Sequence, residues 1–328
     1  MVDTATALQQ LTEVAAKTHD PNVSDVAALS VTWSPQAMCR AVWASRSDTT
    51  FARWSISTTC RQKLRTHCSI FASCWGTALG LDTSQYRWST FAADKTHDFV
   101  GRDYVFRAIA DFLGSHANGY FIIEGDPGLG KSTVLAEYVR RTGCLAHFNV
   151  RAQGVSTPSQ FLQNVCAQLI ADAQLPYASL PADATRDGAF LLKLLQEAAA
   201  KLAAGDRLLI AVDALDEVDL SSLPAGANIL FLPTTLPDGV FFLMTRRNVD
   251  VRFVVQAPQE TLDLLTHPAE NRGDVEAYLR NRLQAPELLA WMETHRLAPA
   301  QVISKLADLS ETNFMYLRYV LPEIASGR

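Results

Sequence analysis

Between residues 124 and 133 the chain reads EGDPGLGKST. The positions of Gly125, Gly130, Lys131 and Ser132 fit G-x-x-x-x-G-K-[ST], a pattern whose chemistry is the cradling of phosphate oxygens. Glycines let successive backbone N–H groups turn toward one point, at the positive end of a following helix. Lys131 brings a compact positive charge to the β- and γ-phosphate oxygens, and the Ser132 hydroxyl is a hard oxygen ligand for Mg2+. An eight-residue pattern recurs by chance, so its setting decides. Here YFIIE (120–124) has strand character before it, and TVLAEYVRRT (133–142) has helix character after it.

Three further stretches carry groups that belong with bound phosphate. LLIAVDALDEV (208–218) is an apolar run that delivers Asp213 at its C-terminal end, where ligands collect in parallel α/β sheets. Asp213 is a candidate Mg2+ ligand. Asp216 and Glu217 follow it and are candidates for polarising an attacking water, as hydrolysis requires; the plainer alternative is that they cap the next segment. FFLMTRR (241–247) ends in Thr245, Arg246 and Arg247, and an arginine there would sense a γ-phosphate if the strand neighbours the glycine-rich loop. FVGRDYVFRAI (99–109) turns at Gly101 into a helix, in a place from which it would close over a base.

These residues need elements to position them. From 99 onward, short apolar runs at 120–124, 144–150, 207–215 and 239–247 alternate with helical patterns at 105–115, 132–142, 159–173 and 189–205. Gly205 stands where a helix C-cap would. The alternation predicts βαβ units with a parallel sheet covered on both faces. Beyond 270, DVEAYLRNRL, PELLAWMETHRL, AQVISKLADL and NFMYLRYVLPEIA predict four successive helices. The fold class is therefore α/β: a three-layer P-loop NTPase sheet followed by a small helical subdomain. The expected division is 1–98 as an irregular N-terminal region, 99–265 as the nucleotide core and 266–328 as a helical lid.

The 328 residues, 48% of them hydrophobic, suffice for a sizeable core, and the net charge of −5 gives no general attraction to nucleic acid. No signal peptide or membrane-spanning run is apparent, so the expected location is cytoplasmic. Residues 31–90 differ from the rest. They hold five of the six Trp and four of the six Cys, and Arg40, Arg46, Arg53, Arg61, Lys63, Arg65 and Arg87 face only Asp48 and Asp82. A basic nucleic-acid surface is the sharper reading, and solvated charges on an irregular extension the plainer and preferred one. A zinc site from Cys60, His67, Cys68 and Cys74 would need wider spacings than ligand pairs normally take. Residues 5–17 fit one amphipathic helix.

The order FVGRD, GDPGLGKST, AHFNVR (146–151), VDALDE (212–217), LPDGVFFLMTRR (236–247) and NFMYLRYVLPEIASG (313–327) resembles the NACHT-type branch of the STAND signal-transduction ATPases. The resemblance covers about 99–328, and Ala214 after Asp213, followed by Leu215-Asp216-Glu217, is a specific part of it. It implies a five-stranded parallel sheet with the phosphate-loop strand central, then a helical lid. Gly125, Asp126, Pro127, Gly128, Leu129, Gly130, Lys131, Ser132 and Thr133 would form the phosphate loop of an ATP/ADP site, with Mg2+ on Ser132 and Asp213. Asp216 and Glu217 would prime water, Arg246 or Arg247 would be the sensor arginine, and Val100, Gly101 and Arg102 would sit at the base. It also implies slow hydrolysis, self-association through the ATPase module, and a protein ligand bound through repeats that family members carry further on. The choice of ATP over GTP rests on the resemblance, since no guanine-reading N-K-x-D appears. An AAA-like initiator or remodelling ATPase working on DNA, and a nucleotide-binding fragment without signalling output, are the competing expectations.

Overall fold

The structure is a computed structural model that describes residues 92–93, 95–221 and 223–326. The helix expected at 5–17, the basic tract at 31–90 and the Cys60–Cys74 ligand set lie outside those residues.

Five strands form one parallel sheet: β1 Gly119–Glu124, β2 Leu145–Phe148, β3 Leu208–Asp213, β4 Val240–Arg246 and β5 Gln259–Asp263, in the order β2-β3-β4-β1-β5. β1 to β4 are nearly continuous apolar runs, as strands buried on both faces must be. Alternate residues of β1 feed two separate cores. Tyr120 and Ile122 pack with α3 (Pro158–Asp172) and α4 (Ala189–Ala199), while Phe121 and Ile123 pack with α1 (Asp103–Ser115) and α2 (Lys131–Thr142). α3 starts at a capping box in which Thr157 and Gln160 satisfy each other's backbone N–H groups, with Pro158 at the first helical position.

Two expectations need correction, and one strand gave no signal in the sequence. The middle strand is β4, and the phosphate-loop strand β1 lies between β4 and β5. β5 reads QETLD, without an apolar run or clean alternation, because it is an edge strand with its first three residues exposed. α4 stops at Ala199, and Gly205 instead serves a turn closed by the Asp206 N–H to the Ala203 carbonyl, 2.9 Å.

After β5 come α5 (Pro268–Arg282), α6 (Pro286–Thr294), α7 (Pro299–Ser310) and α8 (Phe314–Ala325). They enclose a third core built on Val275, Leu279, Met292, Leu306, Leu317 and Leu321. No helix among the described residues is long and apolar enough to cross a membrane.

Candidate nucleotide-binding site

β1 runs straight into the glycine-rich loop, and the loop runs straight into α2, whose N-cap is Gly130 at φ 87°. Lys131 Nζ donates to the Gly125 carbonyl at 2.6 Å and the Asp126 carbonyl at 2.9 Å, so its charge lies along the inside of the loop. Burial pushes the Lys131 pKa below its ordinary value, opposed by the nearby carboxylates of Asp216 and Asp213.

β3 ends in Asp213, which is 4% exposed. Burial raises its pKa, and hydrogen bonds from Thr245 and Ser132 lower it in part. Thr245 Oγ1 donates to Asp213 Oδ1 at 2.5 Å and accepts the Ala214 N–H at 2.8 Å, fixing the end of β3 to the end of β4. From the other side, Asn149 Nδ2 donates to the Asp213 carbonyl at 2.7 Å. The Ser132 hydroxyl beside the Asp213 carboxylate is a pair of hard oxygen donors of the kind Mg2+ takes. A buried carboxylate with a raised pKa gains most from a cation, so these two residues fit the metal and would hold it. Bound there, Mg2+ would neutralise developing charge on phosphate oxygens.

β4 lies against β1 in parallel, with Glu124 opposite Arg246. The two strand-end arginines part company. Arg246 Nε donates to Glu124 Oε2 at 2.7 Å, a largely buried ion pair. Arg247 reaches Asp216 instead, with Nε 2.9 Å from Oδ2 and its backbone N–H donating to Oδ1 at 3.0 Å. Glu217 Oε2 accepts the Arg151 N–H at 3.0 Å.

Between these strand ends and the C-terminal helices lies a cleft of about 580 Å³. Val100, Arg102, Pro127, Gly128, Gly130, Lys131, Ser132, Thr133, Asp216, Glu217 and Arg247 line it. Asp213 sits just beneath the lining. Gly125 and Asp126 present carbonyls to Lys131, and Leu129 is buried in the core between α1 and α2. Gly101 backs onto Asp274 of α5, and Arg246 is held by Glu124. Arg102 lines the cleft with a side chain turned into the protein. Its side chain is 2% exposed, and Nη1 donates to the Tyr104 hydroxyl at 2.9 Å and to Asn271 Oδ1, while Nη2 donates to the Leu129 carbonyl.

The cleft is also lined by Phe99, Tyr278, Arg282, Phe314, Leu317 and Arg318. None of these was apparent as a site residue in the sequence. Asn313, directly ahead of an apolar helical run, did carry an N-cap signature, and its side chain accepts the Met315 and Tyr316 N–H groups. That signature says nothing about the loop 186 positions earlier, to which Asn313 Nδ2 donates. Only the fold joins them. Among the described residues no cluster of three or more His, Cys, Asp or Glu side chains offers another metal site.

Residues 98–243 match the family model of an AAA ATPase domain. No curated protein matches the chain. The match, the parallel α/β sheet and the phosphate loop agree on a nucleotide-binding P-loop ATPase.

Proposed function

We propose that the chain is the nucleotide switch of a NACHT-type signal-transduction ATPase, which holds ATP–Mg2+ or ADP, hydrolyses slowly and uses the bound state to control self-association. One observation carries this reading. Lys131, Ser132, Glu217 and Arg247 converge on a single cleft whose far wall is made of α5 and α8. A nucleotide held between the sheet and these helices touches both, so its presence and the position of the wall bear on each other. Bound phosphate would also compete with Asp216 for Arg247 and with two backbone carbonyls for Lys131. In this reading Glu217 takes a proton from the attacking water, Asp213 and Ser132 hold Mg2+, and Phe99, Val100 and Tyr278 receive the base.

The match to an AAA ATPase domain also supports a second reading, an AAA-like remodelling ATPase, for which DNA is the substrate to test. The two separate in one experiment. As a nucleotide switch, the purified full chain carries co-purifying nucleotide, turns over slowly with no response to DNA, and loses its nucleotide in Lys131→Ala. DNA-stimulated turnover with a steep salt dependence assigns it to the second reading. Full retention by Lys131→Ala would sink both.

A further inference from the structure

Three consecutive carbonyls of the phosphate loop are taken by groups from outside the loop. The Pro127 carbonyl accepts from Asn313 Nδ2 at 3.2 Å, and the Gly128 carbonyl accepts the Phe314 N–H at 3.0 Å. The Leu129 carbonyl accepts from Arg102 Nη2 at 2.5 Å. Two of the three donors are the N-cap and the first residue of α8, and the third is fastened to α5 and α8. The Arg102 guanidinium lies 5.2 Å from the Phe314 ring centroid, bonds Asn271 of α5 and sits 3.6 Å from Asp274 of α5. The Asp274 carboxylate also accepts the Arg102 backbone N–H at 3.2 Å.

The backbone at this junction is held in an uncommon shape. Gly101 and Arg102 both lie in the left-handed region, at φ 69° and 66°. For arginine that conformation is unfavourable and persists where surrounding contacts impose it. A side chain at Gly101 would overlap Asp274, and one at Gly128 would come within 2.1 Å of Asn313 Oδ1. The contact between loop and helices therefore requires glycine on both sides.

A phosphate loop works when its N–H groups face inward, and each peptide unit that turns an N–H inward turns a carbonyl outward. We infer that Asn313, the Phe314 N–H and Arg102 are positioning groups that hold those outward carbonyls and set the loop for phosphate. This inference rests on the switch reading and gives it a physical link. If α8 lifts, Pro127 and Gly128 lose their donors and the loop relaxes; if phosphate fixes the loop, the seat of α8 is fixed with it. Affinity for phosphate and the position of α8 are then coupled, and the coupling acts equally in both directions.

The test uses the full chain and Asn313→Ser. Serine keeps the cap acceptor for the Met315 and Tyr316 amides but is too short to reach Pro127. In nucleotide-free protein, hydrogen exchange at the amides of residues 128–131 is expected to accelerate in Asn313→Ser, with the melting temperature nearly unchanged. Affinity for fluorescent ADP with Mg2+ is expected to fall about fivefold to tenfold. In the wild type, ADP should slow exchange at 315–316, and in the variant this slowing should shrink. Wild-type loop exchange together with wild-type affinity would overturn the inference. Should Asn313→Ser fail to fold, Arg102→Lys keeps the charge but loses the fork that spans Leu129 and Asn271, and carries the same expectations. Because loop exchange is read without ligand, failure of the wild type to bind any nucleotide would sink the switch reading while still testing the clasp.

Discussion

Arg246 and Arg247 are adjacent in the chain, yet strand alternation sends them to different partners. Arg246 closes the β1–β4 register against Glu124, whereas Arg247 lines the cleft beside Asp216. Their substitutions should therefore fail differently. Arg247→Ala is expected to lower steady-state turnover at saturating ATP while leaving ADP binding and the melting temperature close to wild type. Arg246→Ala is expected to cost about 1–3 kcal/mol of stability, since it strips a largely buried carboxylate of a charged hydrogen bond. Turnover assays and urea melts on both variants measure this, and equal loss of turnover with equal stability would contradict it. At this scale the sequence was informative where chemistry is local. The types and spacing of Lys131, Ser132 and Asp213 pointed to phosphate and Mg2+ before any fold was known, and the structure brings Asp213, Ser132 and Thr245 within one hydrogen-bonded group. The sequence named Arg102 beside the base but gave no sign that Tyr104, Asn271 and Leu129 would enclose its side chain.

Elements were legible in proportion to their burial. β1, β3 and β4 announced themselves as apolar runs because both of their faces are covered, whereas β5 is exposed on an edge and its composition gives no strand signal. The other edge is finished in a way no periodicity reveals. Gln168 of α3 donates from Nε2 to the Ala146 carbonyl at 2.8 Å and accepts the Ala146 N–H at Oε1 at 3.0 Å, standing in for a sixth strand along one residue of β2. An open edge is a template for unwanted pairing, and here the buried amide closes part of it. Gln168→Leu would leave the Ala146 N–H and C=O buried without these partners. The expected cost is about 2–4 kcal/mol, from two desolvated backbone groups, measured by urea unfolding of the variant against wild type. The premature end of α4 belongs to the same scale: the run to Gly205 is helical in pattern, but the chain must turn at 203–206 to enter β3.

For the whole molecule, stability should depend on pH through a histidine far from solvent. His147 is 1% exposed on β2, edge-on to Phe161 of α3. Burial lowers its pKa to about 4, with hydrogen bonds to Asn164 and Asn149 opposing the shift. An unfolded histidine titrates near 6.5, so between about 6.5 and 4 the unfolded chain binds a proton that the folded chain refuses. The neutral form's contribution is therefore complete above that window and is lost as pH falls through it, at up to about 1.4 kcal/mol per pH unit. Urea melts of wild type and His147→Gln from pH 7 to 4.5 should show the variant with the shallower decline; parallel curves would mean that His147 titrates alike in both states. The sheet also shapes how this chain can change over generations. Because Tyr120 and Ile122 serve one core while Phe121 and Ile123 serve the other, inserting one residue in β1 would exchange the two sets and push the phosphate loop along by about 3.3 Å. Descendants of this sequence can vary the identity of residues in 119–124, but not their number.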